Sequence, residues 1–181
     1  MNEHIERVYN RKMKNLATEL EGWEISFLSE SNKLEDEYSI SALEDAIIAW
    51  DFAKRNRFIH KNPEYVKNIH FYLMRNLNPE IAGRFRTCEV FVGDDEDIVN
   101  SRFIEEAMIG WCYGFNELKD SSEKIKEEHV RFLKIHPFAD GNGRTARILM
   151  NIQNLNSGYN PTIFMAQEPP KGYEDYYDWF K

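Results

Sequence analysis

The sequence predicts a mainly α-helical domain with a single β-hairpin. Apolar residues recur at three- and four-residue intervals through most of the chain, and the period falls to two in only one stretch, residues 83–95. Between the periodic stretches lie short start and stop signals, such as Asn62-Pro63, Asp120-Ser121-Ser122 and Asn156-Ser157-Gly158.

Taken in order, Ile5, Val8, Tyr9, Met13, Leu16 and Leu20 predict an opening helix that stops at Gly22. A second helical pattern starts near Ser31 and runs through Leu34, then Leu43, Ile47, Ile48 and Trp50, with a break around residues 37–41. The third follows Asn62-Pro63, with Tyr65, Ile69, Tyr72, Leu73 and Leu77 on one face. In residues 83–95, Phe85, Thr87, Glu89 and Phe91 alternate with Arg86, Cys88, Val90 and Val92 between two glycines, which is strand spacing. Helical spacing returns with Ile104, Met108, Trp111, Cys112, Phe115 and Leu118. It resumes with Ile125, His129, Phe132 and Leu133, and again with Ile148, Leu149, Ile152 and Leu155. The tail holds Pro161, Pro169, Pro170 and an aromatic segment, residues 173–180. Neither an internal repeat nor a low-complexity linker is present. The 181 residues fit one domain spanning 1–181, long enough to bury a core.

A formal charge of -8 argues against a general nucleic-acid binder or an anionic-membrane binder, because both need a cationic footprint. The local run Lys54, Arg55, Arg57 and Lys61 reads as the solvated face of a helix. No apolar stretch has the length of a secretory signal core or a membrane span, so the expected setting is the cytoplasm. Cys88 and Cys112 make neither a disulfide framework nor a zinc site; both are expected reduced and partly buried.

The chemistry concentrates in HPFADGNGRTAR, residues 136–147. Asp140-Gly141-Asn142-Gly143 alone is a strong turn sequence. A turn does not explain Arg144 and Arg147, which fall in the first turn and a half of the next helix, where cations oppose the macrodipole. An external anion would answer them. Glycine-flanked N–H groups at a helix start form an anion nest, and two arginines three apart above it suit a polyphosphate. Beside phosphates, Asp140 can hold Mg²⁺. His136 can take a proton from an attacking hydroxyl near neutral pH. The implied reaction is transfer from a nucleotide to a hydroxyl. A metal hydrolase built on His129, His136 and Asp140 competes, but its histidine spacing is poor and it leaves both arginines without a task.

These residues, His136 to Arg144 followed by Arg147, match the Fic-domain signature at every defining position, so the chain resembles Fic proteins over roughly residues 31–155. The resemblance implies a Fic-type helical domain that moves AMP from ATP to a Ser, Thr or Tyr hydroxyl of a target protein, with Mg²⁺. In that assignment His136 is the general base and Asp140 the metal ligand. Gly141, Asn142, Gly143 and Arg144 hold the α- and β-phosphates, and Arg147 meets the γ-phosphate. Phe138 anchors the loop. Residues 83–95 become a flap that docks the target by strand addition, with Val90, Phe91 and Val92 as candidate contacts. Glycine at 143 rather than lysine favours adenylylation over phosphorylation, while another nucleotide or transferred group stays open. Relatives of this kind often form dimers; the periodicity marks no interface.

Fic proteins often carry an inhibitory [S/T]xxxE[G/N] helix, and the segment at residues 31–36 resembles it through Ser31 and Glu35, departing only at Asp36. Pairing of Glu35 with Arg147 would remove the cation meant for the γ-phosphate, holding transfer in check. Self-modification and removal of AMP are further activities the resemblance allows. The reading from another class is a nucleotide-binding regulator without transfer.

Overall fold

The computed structural model describes residues 19–90, 98–117, 121–166 and 179. Among them run six α-helices: α1 (Gly22–Lys33), α2 (Ile40–Arg55), α3 (Pro63–Met74), α4 (Ile104–Asn116), α5 (Ser122–Ile135) and α6 (Asn142–Asn156). The helix starts are chemically marked. Ser39 caps α2 by accepting from the Ala42 N–H at 3.2 Å, Asn62 caps α3 through the Tyr65 N–H at 2.9 Å ahead of Pro63, and Ser121 caps α5.

The buried positions of each helix are largely those the spacing predicts. Tyr65, Ile69 and Leu73 of α3, Ile104, Met108, Trp111, Cys112 and Phe115 of α4, and Ile125, His129 and Phe132 of α5 are all buried. They close around α6, which packs against α1, α2, α3 and α5 and is buried along nearly its whole length. A helix covered on most sides needs small or apolar residues where neighbours approach, and Thr145, Ala146, Ile148, Leu149 and Ile152 supply them. Its amino-terminal end is therefore held rigidly at the junction of α5, α3 and α1.

Several expectations are corrected. The second helical pattern is two helices, as its break suggested, but the first begins at Gly22 rather than near Ser31. Gly22 opens a helix instead of stopping one, because the Glu24 carboxylate reaches back to the Glu21 N–H at 2.8 Å and secures the first turn. The opening helix falls in residues 1–18, outside the described residues, as does most of the aromatic tail. Among the described residues no strand forms: residues 84–90 are irregular and 91–97 lie outside the described residues, so the β-hairpin is not seen. Within this segment Arg86 is buried, its guanidinium donating to the His136 and Cys88 carbonyls and its backbone N–H to the Pro137 carbonyl, which ties the segment to the loop after α5.

Lys61 is not solvated. It is 4 % exposed and donates to the carbonyls of Asn56, Arg57 and Ile59 at 3.2, 2.6 and 2.7 Å, closing the end of α2, while burial pushes its pKa down to about 8. Of the cysteines, Cys112 is fully buried and Cys88 exposed. No helix among the described residues is long and apolar enough to cross a membrane.

The attachment of α1 rests on Glu24, which is 1 % exposed and accepts from Trp50 Nε1 at 2.6 Å and Lys54 Nζ at 2.5 Å, both on α2. Burial pushes this carboxyl up, but hydrogen bonds from Lys54, Trp50 and Glu21 outweigh it and hold the pKa below 4.5. Its contribution is thus complete above the ordinary glutamate range and is lost as pH falls through the lowered value. Replacing it, Glu24→Ala, is expected to lower the unfolding free energy at pH 7 by about 2 kcal/mol, with a smaller difference from wild type at pH 3, measured by urea denaturation.

Candidate active site

The loop between α5 and α6 begins where His136 ends α5 in the left-handed region, φ 49°. That reversal turns the chain out of the helix and presents the imidazole at the rim. His136 Nδ1 lies 3.3 Å from the Leu133 carbonyl, so Nδ1 carries the proton and the Nε2 lone pair is left available. Burial lowers the His136 pKa below 6.5, partly offset by that hydrogen bond. A neutral imidazole is what a proton acceptor requires.

Beyond His136 the loop folds on itself. Phe138 is completely buried, and the Asn142 carboxamide grips its backbone from both sides, accepting from the Phe138 N–H at 2.9 Å and donating to its carbonyl at 2.8 Å. Asn142 is 2 % exposed with both ends of its carboxamide engaged by the Phe138 backbone. Gly141, at φ 75°, starts α6, and no side chain caps the helix. Its first-turn N–H groups are therefore presented at the loop mouth. A Cβ on Gly141 would lie 2.8 Å from Met74 Sδ, so the position is closed to larger residues by packing as well as by φ.

Two cations stand over this helix start. Arg144 is 4 % exposed; its Nη2 lies 3.3 Å from Met74 Sδ and 3.8 Å from Asp140 Oδ1, the Glu37 carboxylate interacts with its charge, and its Nε has no hydrogen-bond partner among the described residues. A buried guanidinium so weakly satisfied favours an anion beside it. Asp140 is exposed, with Oδ1 accepting from the Gly141 N–H at 2.6 Å. Arg147 is 1 % exposed, donating through Nε to Ser31 Oγ at 2.8 Å and through Nη2 to the Ser31 carbonyl at 2.9 Å and Glu35 Oε1 at 2.6 Å. The sequence-distant pair Ser31 and Glu35 thus meets the loop.

Glu35 does not lie on the helix itself. α1 ends at Lys33, Glu35 sits in the turn beyond it, and Asp36 takes φ 55°. That left-handed conformation accounts for Gly or Asn at this place in the inhibitory motif, and aspartate tolerates it at modest cost. The turn lays Glu35 against the bare face of Gly143, where a Cβ would overlap the carboxylate. The end of α1 is held from the other side by Glu30, which accepts from the Ala166 N–H at 2.8 Å and from Lys33 at 2.6 Å.

His129 does not join His136 and Asp140. It is buried, its pKa lowered to about 3 by burial and by the Arg147 charge, and a hydrogen bond ties it to the Ala146 backbone. Among the described residues no group of three or more His, Cys, Asp or Glu could hold a metal. The hydrolase constellation therefore has no geometric support. A single carboxylate, Asp140, does suit Mg²⁺, which keeps water and takes phosphate oxygens for most of its shell. Of the flap candidates, Val90 is partly buried and Phe91 and Val92 lie outside the described residues.

Two residues of the site escaped the sequence reading. Arg86 sits under the carboxyl end of α5, donating through Nε to the His136 carbonyl at 2.7 Å and through Nη2 to Val99, while its own N–H reaches the Pro137 carbonyl at 2.9 Å. His70 on α3 stacks on Phe138 with ring centroids 3.7 Å apart, accepts from the Gly83 N–H at 3.0 Å and contacts the Asp140 carbonyl at 2.9 Å. Burial pushes its pKa down to about 4. Neither carries a local sequence signal beyond its place in a helical or alternating pattern.

The family model described as Fic/DOC matches residues 61–153, just over half of the chain. The chain belongs to the Fic/DOC family. Among curated Fic/DOC relatives, it is 34 % identical over 117 residues to the protein adenylyltransferase Fic of Nematostella vectensis, covering 61 % of this chain and 26 % of that one. It is 31 % identical over 105 residues to the protein adenylyltransferase fic-1 of Caenorhabditis briggsae, covering 56 % and 21 %. The chain thus spans about a fifth to a quarter of the length of these curated relatives. The Fic/DOC fold is also seen in Fic-1 from Caenorhabditis elegans, at TM-score 0.66 and 20 % identity over 98 % of this chain and 64 % of that one. A Fic domain containing signaling protein from Bacteroides thetaiotaomicron matches at TM-score 0.68 and 18 % identity, over 88 % of this chain and 75 % of that one.

Because the Asp36 backbone is left-handed, Asp36→Gly is expected to stabilise the protein by about 0.5–1 kcal/mol and Asp36→Val to destabilise it by at least as much, read from thermal melts. The His136 imidazole is expected to titrate with a midpoint below the ordinary value of about 6.5, followed by NMR with His136→Gln to assign the resonance.

Proposed function

We propose that this chain transfers AMP from ATP to a hydroxyl group of a protein target, and that Glu35 restrains the reaction. The observation that carries the reading is the pair of buried arginines at the uncapped start of α6, one under-satisfied and the other tied to a carboxylate from a distant turn. Names of curated relatives as protein adenylyltransferases support the same chemistry.

In this mechanism the nucleotide phosphates rest against the α6 N–H groups of Asn142, Gly143 and Arg144, with the Arg144 guanidinium completing the cradle. Asp140 would be the residue that holds Mg²⁺, and the ion would supply screening of the phosphate charge. The target Ser, Thr or Tyr hydroxyl gives its proton to His136 Nε2 as its oxygen attacks the α-phosphorus. The α–β phosphoanhydride bond breaks and pyrophosphate leaves. Target docking is assigned to the segment 83–95, with Val90, Phe91 and Val92 as candidate contacts.

Restraint follows from charge. While Arg147 is engaged by Glu35, it is withheld from the γ-phosphate, and the carboxylate stands where that phosphate would settle. ATP then binds without the alignment that in-line attack needs. The domain acts on itself or on other proteins by the same route.

The test is incubation with labelled ATP and Mg²⁺, reading covalent label on the protein and on lysate proteins. Glu35→Gly is expected to increase label by about tenfold or more, and His136→Ala in that background to lower it by about 10²–10⁴-fold. Equal labelling by wild type and Glu35→Gly would remove the restraint from the mechanism. Tight nucleotide binding with no label from either form would show a nucleotide-binding regulator instead. Parallel reactions with other labelled nucleoside triphosphates identify the group transferred.

A further inference from the structure

We propose that His70 is a positioning residue that aims the Asp140 carboxylate at the metal. The role rests on the transfer reading above, in which Asp140 is the metal ligand.

His70 is fully buried and stands 70 residues before Asp140 in the chain. Its tautomer follows from its partners. The Gly83 N–H can only donate, so Nδ1 accepts, at 3.0 Å; Nε2 then carries the hydrogen and donates to the Asp140 carbonyl at 2.9 Å. One neutral imidazole satisfies both contacts. A trans peptide is planar, so fixing the carbonyl of residue 140 also fixes the N–H of Gly141 on the opposite edge. That N–H is the group that binds Asp140 Oδ1 at 2.6 Å. The orientation of the carboxylate is therefore inherited, through one peptide plane, from the imidazole behind it.

Two further contacts leave the plane little freedom. The imidazole lies parallel to the Phe138 ring, at an interplanar angle of 3°. It also backs Gly141 so closely that a Cβ there would lie 3.2 Å from Nε2. At its other nitrogen His70 holds Gly83, the residue from which the flap segment departs. One side chain thus sets both where the metal ligand points and where the target-docking segment begins. Such residues behind a metal ligand commonly change affinity by 10- to 100-fold when replaced.

The test uses Glu35→Gly as parent and calorimetric titration with ATP, with and without Mg²⁺. His70→Asn places a carboxamide near the Nδ1 position, keeping the Gly83 contact and losing the donor to Asp140. His70→Gln reaches the Nε2 position and keeps that donor. His70→Asn is expected to weaken Mg²⁺-dependent ATP binding by about tenfold while leaving metal-free ATP binding unchanged, with His70→Gln within about threefold of the parent. Both variants lose the aromatic stack, so general loosening would appear equally in both. Equal losses in the two variants, or no loss in His70→Asn beside a Mg²⁺-dependent parent, would overturn the positioning role alone. A parent whose ATP binding ignores Mg²⁺ would overturn the metal assignment and the role with it.

Discussion

A buried positive charge governs this structure. Arg147 is removed from water on a helix packed from several sides, and a guanidinium in that setting must be neutralised and hydrogen-bonded by groups that come to it. Ser31 and Glu35 do so from the end of α1, more than a hundred residues away in sequence. The arrangement of that end of the molecule answers the demand. α1 is moored to α2 by Glu24 and to the segment at Ala166 by Glu30, the chain turns left-handed at Asp36, and residue 143 has no side chain to stand in the way. The same cation, in the proposed reaction, belongs to the nucleotide. In that proposal one charge has two claimants, Glu35 and the nucleotide.

The loop between α5 and α6 is held from beneath by the side chains of Arg86, Asn142 and His70. Arg86 places a cation against the last carbonyls of α5, where the helix dipole is negative, and so fixes the point at which His136 leaves the helix. Asn142 closes the loop around Phe138, and His70 supports Phe138 and Asp140 from α3. His136, Asp140 and the α6 start, the proposed base, metal ligand and phosphate cradle, thus depend on α5, α3 and α6, whose relative positions are set by the apolar core. A loop preorganised in this way needs little rearrangement when a nucleotide arrives.

Much of this was legible from residue order because the signals are local. Asn62-Pro63 and Ser121 announce helices through side chains that bond the backbone three residues on, and the apolar spacing of α3 to α6 marks their buried faces directly. The loop was legible for a different reason: cations at a helix start contradict the macrodipole, and a contradiction of that kind points to a ligand. Local preference was overruled elsewhere. Residues 83–90 alternate like a strand, yet 84–90 are irregular and Arg86 among them points its side chain inward to the carbonyls of His136 and Cys88. α1 begins with a glycine and has little apolar contrast, and its start depends on Glu24 reaching backward and across to Trp50.

What the sequence by itself determined is the set of helices, the reaction loop and the chemistry its residues allow, because each depends on neighbours within a few positions. Only the tertiary structure decided that Lys61 is an inward-facing cap, that Asn142 holds the loop with its side chain, and that His70 and Arg86 carry its geometry; the meeting of Glu35 with Arg147 is expected from the motif resemblance and is seen in the fold. The contacts of His70 with Asp140 and of Arg86 with His136 join residues tens of positions apart, while those of Lys61 and Asn142 are short in sequence but turn inward only because packing buries them.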